Sequence, residues 1–369
     1  MSDGALAGMR VVDLATDISG SYCARLLADL GADVIRLEHV SVDEDQSRLD
    51  GEFAYLNQNK RSVAIDVDQQ AGRDVWRQLV DAADVVIETG SPSALSQHGV
   101  SFTEIAESSS RAIVVSITPF GLTGPYRSRP ASDLTVAALG GLLKSLGDSQ
   151  REPLSVGFPL VQFVSGVIAA VGVLAAWRQV DDDPGARLVA VSQQEVALRM
   201  PLYPTVAARV GHATGRRTPF PMYVQTLNGY AAVNALSAQH FRDAMTYMGL
   251  DEIAEDQAMA ADSSLRESVA PRLQERMDVW AADKTREEIF HVGQAMRIPT
   301  GIPYTLLEVL EEDHYRARDF FRPLLVGATV VQQPVGPISG STAARSEWTN
   351  APALGEHSTT VLEEWLGVQ

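Results

Sequence analysis

The stretch MRVVDLATDISGSYCARLLADLGADVIRLEHV, residues 9–40, decides the fold. Residues 9–15 are a short β-branched run, and residues 22–31, YCARLLADLG, space their apolar side chains as a helix does and end on a glycine that can stop one. Residues 32–40 form a second buried run. Strand, helix and strand in such quick succession make a βαβ unit, whose two strands lie parallel with a right-handed crossover. The alternation continues through RSVAIDV (61–67), the helical AGRDVWRQLVDAA (71–83), DVVIE (84–88) and RAIVVSITPFG (111–121). Repeated units of this kind predict an open α/β domain of Rossmann-like type, with a parallel sheet covered by helices.

The phosphate-cradling motifs that often accompany this fold are missing. One glycine follows the first strand, in TDISGSY, where a dinucleotide site needs G-x-G-x-x-G, so NAD and FAD are disfavoured. Neither a G-x-x-x-x-G-K-[ST] loop nor a G-x-S-x-G nucleophile elbow occurs, which removes the main support for ATP and hydrolase chemistry of those types.

Beyond this region, residues 159–177 form the long apolar run PLVQFVSGVIAAVGVLAAW, interrupted by the amide Gln162. Its length approaches that of a membrane span, but its Ala/Val/Gly content, Gln162 and Ser165 fit a helix inside a large core better. LVAVS (188–192) restarts a strand, and QQEVALRM follows it as a helix. Residues 200–225 are irregular and proline-rich; helical patterns then dominate to about residue 320, where PLLVGATVVQ turns β-like again. The expected division is a large Rossmann-like domain (1–199), a linker (200–225), a smaller α+β domain (226–320) and a C-terminal segment (321–369) returning to the large domain, with a last helix capped by Ser358 or Thr359.

With 369 residues, 45% of them hydrophobic, the chain can bury a substantial core. Thirty basic residues against 47 acidic ones give a formal charge of −17, and no basic patch is visible, so neither nucleic acid nor an anionic membrane is an expected partner. A single cysteine, Cys23, excludes an intrachain disulfide framework and a multi-cysteine metal site and agrees with a reducing cytoplasm; no metal is expected. The opening MSDGALAGMR lacks the pattern of a secretory signal.

Several segments, taken in order, resemble the family III CoA-transferases, the CaiB/BaiF group. GMRVVDLATDISGSYCARLLADLGADVIRLEH is similar to the family's opening, and LNQNKRSVAIDV to its N-x-N-K-R-S segment. PFGLTGPYRSRPASDLTVAALGGLL resembles F-G-x-x-G-P-Y…R-P-x-Y-D…G-G-L. Further matches lie in DKTREEIFHVGQAMRIPTGIPYTLLEVLEEDHYRARDFF and in the tail LGEHSTTVLEEWLG. The resemblance implies an interlocked dimer and transfer of CoA between carboxylic acids. In that chemistry an Asp carboxylate attacks the thioester and passes through a mixed anhydride and an aspartyl-CoA thioester.

Against the family's P-L-A-D-L-x-A-G, the segment PLVQFVSG puts Gln162 at the nucleophile's position. A neutral carboxamide cannot open a thioester as a carboxylate does. It could instead satisfy a buried backbone group or contact a substrate. The racemase branch's His-Asp pair falls on Ser132-Asp133; Asp133 could act on a substrate or cap the helix DLTVAALGG, and the cap is the favoured reading. The resemblance places CoA contacts at Ile18, Ser19, His39, Lys60, Arg61, Ile65, Asp66, Thr89 and Gly90. Basic residues that relatives use for the phosphates are His39, Ser91 and Gln97 here, so CoA binding is expected to be weakened; Lys60 and Arg61 remain, either for phosphate or as an ion-paired couple. A Gly-rich lid expected near residues 215–228 is absent.

No covalently bound cofactor is expected, with CoA or an acyl-CoA as the ligand. The leading expectation is the non-catalytic subunit of a heteromeric CoA-transferase, and the expected assembly is a homodimer or a heteromer with a related CoA-transferase subunit. An alternative is an enzyme acting on an acyl-CoA or carboxylic acid by a non-covalent route, with Gln162 as a polar contact, and a third is a binding or regulatory protein.

Overall fold

The structure is a computed structural model that describes residues 4–40, 50–90, 105, 111–147, 151–180, 185–201, 206, 223–235, 237–336 and 348–367. The chain divides into two compact units: one comprises residues 1–144, 155–210 and 319–369, the other 145–154 and 211–318.

The first unit is built on a six-stranded sheet of β1 (Arg10–Asp13), β2 (Asp33–His39), β3 (Arg61–Ile65), β4 (Val85–Thr89), β5 (Ile113–Thr118) and β6 (Arg187–Ser192). Every neighbouring pair is parallel and the order is β3-β2-β1-β4-β5-β6, as the alternation of strands and helices predicts. Successive residues of a strand face opposite sides of the sheet, so β1 sends Val11 to one core and Val12 to another. Val11, Ile87 and Val115 pack under α1 (Ile18–Asp29) and the long helix residues Ala169 and Val173. Val12, Val86 and Val114 pack under Trp76 and Leu79 of a helix spanning Gln70–Asp81 and under Val361 and Trp365 of the C-terminal segment.

In chain order the helices of this unit are α1, α2 (Gly51–Leu56), α3 (Gln70–Asp81), α4 (Asp133–Leu139), α5 (Leu160–Gln179) and α6 (Gln193–Arg199). The apolar run around Gln162 is α5. Small residues let it approach α1 closely: a Cβ on Gly166 would lie 2.6 Å from the Ser19 carbonyl oxygen. Its burial is one-sided, since Val167, Ile168 and Val171 on the face away from α1 are exposed. By length and composition alone α5 could cross a membrane; in this fold it is a layer of the α/β sandwich.

The second unit carries an antiparallel sheet of β7 (Tyr223–Thr226), β8 (Gly229–Val233) and β9 (Thr300–Gly301). Its core gathers Phe241 and Met245 of α7 (Ala238–Tyr247), Met277 of α8 (Ser263–Ala281) and Ile289 of α9 (Arg286–Ala295). The sequence places Tyr223–Thr226 at the end of the irregular stretch, yet it pairs as a strand because the Leu227–Asn228 turn closes a hairpin with β8.

The chain returns to the first unit as a hairpin, β10 (Phe321–Val326) and β11 (Thr329–Pro334), followed by α10 (Ser358–Val361). The tail covers the open edge of β3, where unpaired strand groups need partners. His357 N–H donates to the Ser62 carbonyl at 3.0 Å, and Ala64 N–H donates to Ser358 Oγ at 3.2 Å. Ser358 is therefore spent on the edge strand and does not cap the last helix: His357 occupies the N-cap position and no side chain caps it.

Candidate functional site

In parallel sheets of this order, ligands collect at the carboxyl ends of the strands where the strand order reverses. Here that point lies between β1 and β4. The loop after β1 is tied to β4 by Thr16 N–H, which donates to Thr89 Oγ1 at 2.9 Å. Asp17 then caps α1, its carboxylate accepting from Gly20 N–H at 3.2 Å, from Ser19 Oγ at 2.7 Å and from Gln193 Nε2 at 3.4 Å. Burial pushes the Asp17 carboxyl above its ordinary range, against those same hydrogen bonds.

The first turn of α5 faces this loop. Its N-cap position is Pro159, which has no side-chain oxygen to satisfy the helix's leading N–H groups. Asp133 does so from another element, with Oδ1 accepting from Gln162 N–H at 3.0 Å and a further bond from the Val161 backbone. It is free for this because Ser132, not Asp133, caps α4, through a capping box with Thr135. The expectation that Asp133 caps its own helix is thus corrected: a Ser precedes it at the better capping position, and the carboxylate goes where α5 lacks a donor's partner. Burial holds this carboxyl above its ordinary value, and the two N–H bonds work against that rise.

Gln162 lines a cavity of about 400 Å³ together with Thr16, Asp17, Ile18, Ser21, Arg36 and Asn57. Its Oε1 is buried and has no hydrogen-bond partner among the described residues, a costly state for a carboxamide. The cavity is acidic, with Asp17, Glu38, Asp50 and Glu52 around one guanidinium, Arg36, which itself pairs with Glu38 at 3.0 Å. A second, apolar cavity of about 290 Å³ opens on the other flank of the same helix start, walled by Leu134, Leu142, Phe158 and Leu160 beside Asp133.

Apart from Lys60 and Arg61, the residues expected at a CoA site fall into three groups. Ile18 and Ser19 open α1 at the first cavity, with Ser19 fully buried. Thr89 and Gly90 end β4; Gly90 holds φ at +99° over open space, a conformation that favours glycine. His39, Ile65 and Asp66 lie at the ends of β2 and β3, where His39 Nε2 is 3.8 Å from Asp66 and 3.5 Å from Asp68. The ligand atoms of these three side chains lie within 4.8 Å of one another, the one such group among the described residues, and its two carboxylates oppose any phosphate at His39. Ser91, Gln97 and residues 215–222 lie outside the described residues.

Lys60 and Arg61 are both ion-paired within the protein. Lys60 is buried, its Nζ donating to Asp13 at 2.7 Å, to the Ser21 carbonyl at 2.9 Å and to Asn57 Oδ1 at 3.0 Å. Burial lowers its ammonium to about 8, with Asp13 opposing the shift. Arg61 forks onto both oxygens of Asp33 at 2.9 and 2.5 Å and reaches Glu364 at 2.6 Å. Burial pushes the Cys23 thiol upward, which leaves it unreactive. Sequence reasoning did not single out Asp17 or Arg36. The available signal for Asp17 was an acid one residue ahead of Ser19-Gly20-Ser21, with Ile18 between, at a helix start after β1, where an N-cap meets the point at which the strand order reverses.

Comparison with known proteins agrees with this architecture. The model of CoA-transferase family III matches residues 6–358. The chain is 28% identical to the succinyl-CoA–L-malate CoA-transferase beta subunit of Chloroflexus aurantiacus and 26% identical to the succinyl-CoA–D-citramalate CoA-transferase of the same organism. Each match covers 98% of this chain and 94% of the relative. Among solved structures, a CaiB/BaiF family protein from Brucella suis superposes with a TM-score of 0.83 at 24% identity, covering 98% of this chain and all of that one.

Proposed function

The chain belongs to CoA-transferase family III, whose members act on CoA thioesters, and from that premise we propose that it is the non-catalytic subunit of a heteromeric CoA-transferase. One observation carries the reading: a carboxamide, Gln162, stands on the first turn of α5 where the family's nucleophile is expected, beside the cavity at the end of β1. An amide oxygen has too little nucleophilicity to form the acyl anhydride, and no other side chain at that atom can replace the covalent step. The charges around the expected CoA contacts support the same reading, since His39 lies between two carboxylates and Lys60 and Arg61 are engaged with Asp13 and Asp33. Relatives named as the beta and the alpha subunit of a succinyl-CoA–L-malate CoA-transferase support a place for this chain in such an assembly. Within such a pair this chain supplies structure and part of the pocket, as an interlocked dimer permits.

The test is purification of the chain alone and together with a related subunit that keeps an Asp at the matching position. Alone, it should transfer no CoA from succinyl-CoA to malate or other acids, and calorimetry should detect no binding of CoA or acetyl-CoA up to millimolar concentration. With the partner, a stable complex should form whose activity exceeds that of the partner by itself. Turnover by the chain alone would overturn the proposal.

The unpaired Gln162 Oε1 favours a second reading, in which a ligand's N–H or O–H completes this amide and the chain acts on an acyl-CoA or acid without a covalent intermediate. Here the chain alone would turn over, and Gln162→Ala would abolish the activity.

A further inference from the structure

Outside the two cavities at α5, three ligand-bearing side chains meet at the carboxyl ends of β2 and β3. His39 ends β2 opposite Ile65, which ends β3, so the chain leaving β3 carries Asp66 and Asp68 past the imidazole. His39 Nε2 lies 3.5 Å from Asp68 Oδ2 and 3.8 Å from Asp66 Oδ1. Donor atoms held tetrahedrally by one zinc ion, each about 2.0–2.2 Å from it, are roughly 3.3–3.6 Å apart. The His39–Asp68 separation already has that value, and Asp66 needs to close by only a few tenths of an ångström. The turn bearing the two acids is fixed from behind. Arg73 of α3 donates to the Val67 carbonyl at 2.8 Å and to the Asp68 carbonyl at 2.9 Å, and a Cβ at Gly72 would collide with the Asp66 carbonyl. Asp68 N–H donates to Asp66 Oδ1 at 3.0 Å, which occupies one lone pair of that oxygen and leaves another for a ligand.

The charges at this point are not balanced from within the protein. Among the described residues neither Asp66 nor Asp68 has a lysine or arginine partner, and the Arg73 guanidinium, although it reaches this turn, is spent on backbone carbonyls and on Gln70. We propose that His39, Asp66 and Asp68 bind a divalent transition-metal ion of the zinc class, with water completing its coordination. One imidazole nitrogen beside two carboxylates favours zinc over magnesium and calcium, which prefer oxygen alone. The expectation that no metal binds rests on the scarcity of cysteine, and this ligand set needs none. The ion also neutralises the two carboxylates that oppose a phosphate at His39. The site involves no residue of α5 and does not depend on the function proposed above.

The test uses the full-length, tag-free protein, stripped with EDTA and titrated by calorimetry with zinc and separately with magnesium, while the histidine ring signals are followed by NMR. Zinc should bind one to one and shift the His39 ring signals ahead of those of the other histidines, and magnesium should bind at least about tenfold more weakly. His39→Ala and Asp68→Asn should each weaken zinc by roughly 10–100-fold or more, the loss found when even the outer partners of a metal's ligands are removed. The Asp68 side chain is 84% exposed, so Asp68→Asn should leave the melting temperature of the metal-free protein unchanged and keeps the test open should His39→Ala fail to fold. Zinc should raise the melting temperature of the wild type and not that of Asp68→Asn. No binding up to about 1 mM zinc, the weak end of the affinity scale, zinc affinity unaltered in Asp68→Asn, or magnesium bound as tightly as zinc would each overturn the proposal.

Discussion

Replacing Asp133 tests the central structural claim about the candidate site, that one carboxylate from α4 closes the open end of α5. In Asp133→Ala the N–H groups of Val161 and Gln162 lose their acceptor, and Pro159 offers no substitute. Loss of an N-cap costs about 0.5–2 kcal/mol, and the helix-dipole part of that is reduced here because Asp133 is only partly buried. The expected destabilisation is about 1 kcal/mol, a fall of roughly 2–4 °C in the melting temperature of a unit this size. Asp133→Asn keeps an acceptor oxygen and removes the charge, so it should lose much less. The two variants also differ in pH dependence. Burial raises the folded-state Asp133 carboxyl above its ordinary 3.8. A group shifted that way stabilises the fold most below its unfolded pKa and loses that contribution as pH rises through the folded value. Asp133→Asn should therefore gain on the wild type between about pH 4 and neutrality. Urea unfolding of the three proteins at pH 4 and pH 7, with amide exchange read at residues 160–164, checks both points. An alanine variant as stable as the wild type, or an asparagine variant as damaged as the alanine one, would refute the capping argument.

Gly166→Ala should destabilise by about 1–3 kcal/mol in urea unfolding despite alanine's better helix propensity, because its methyl would meet the Ser19 carbonyl at 2.6 Å; a more stable variant would count against the close α1–α5 contact. Lys60→Met should cost about 3–5 kcal/mol by stranding the buried Asp13 carboxylate, and adding Asp13→Asn should recover most of it in a double-mutant cycle. Trp365→Ala should cost about 3–5 kcal/mol, losing both its packing against the Val12 core and the 2.8 Å bond to Asp33. Gln162→Asp alone should not confer CoA transfer on the isolated chain, measured with succinyl-CoA as donor; easy gain of activity would show that one residue holds the chain inactive.

The sheet was legible because its strands are continuous apolar runs punctuated by helices of ordinary length, and each strand's two faces meet different cores, as Val11 and Val12 do. What sequence periodicity could not show was the destination of polar side chains. Ser358 looks like an N-cap by position, but the edge of β3 competes for it. Asp133 also looks like an N-cap, and is one, for a helix whose Gln162 N–H lies 29 residues further along the chain. Lys60 and Arg61 read equally as a pair for phosphate or as ion-paired residues, and only the fold decides: Asp13 and Asp33, each on a different strand, take them up. Such pairings depend on which strands become neighbours, and no local pattern encodes that. The half-exposed α5 was missed for a related reason: a run this apolar gives no contrast between the face that packs on α1 and the face carrying Val171.

The surroundings of Gln162 suggest why an amide persists there. Asp17, Glu38, Asp50 and Glu52 already line its cavity, with one arginine that is itself committed to Glu38. A carboxylate at residue 162 would be the fifth around that space, and like charges in a partly desolvated pocket push one another toward the protonated form. A protonated acid is a poor nucleophile, so an Asp at this position would lack the charge that covalent catalysis needs. Asp17 is central to this, because burial already holds its carboxyl above the usual range and its place at the α1 N-terminus is fixed by Gly20 and Ser19. The neutral amide and the acidic wall therefore form a consistent pair, in which each makes the other tolerable. Restoring the charge at residue 162 would require removing one nearby, and Asp17 is the side chain whose neutralisation the geometry favours first.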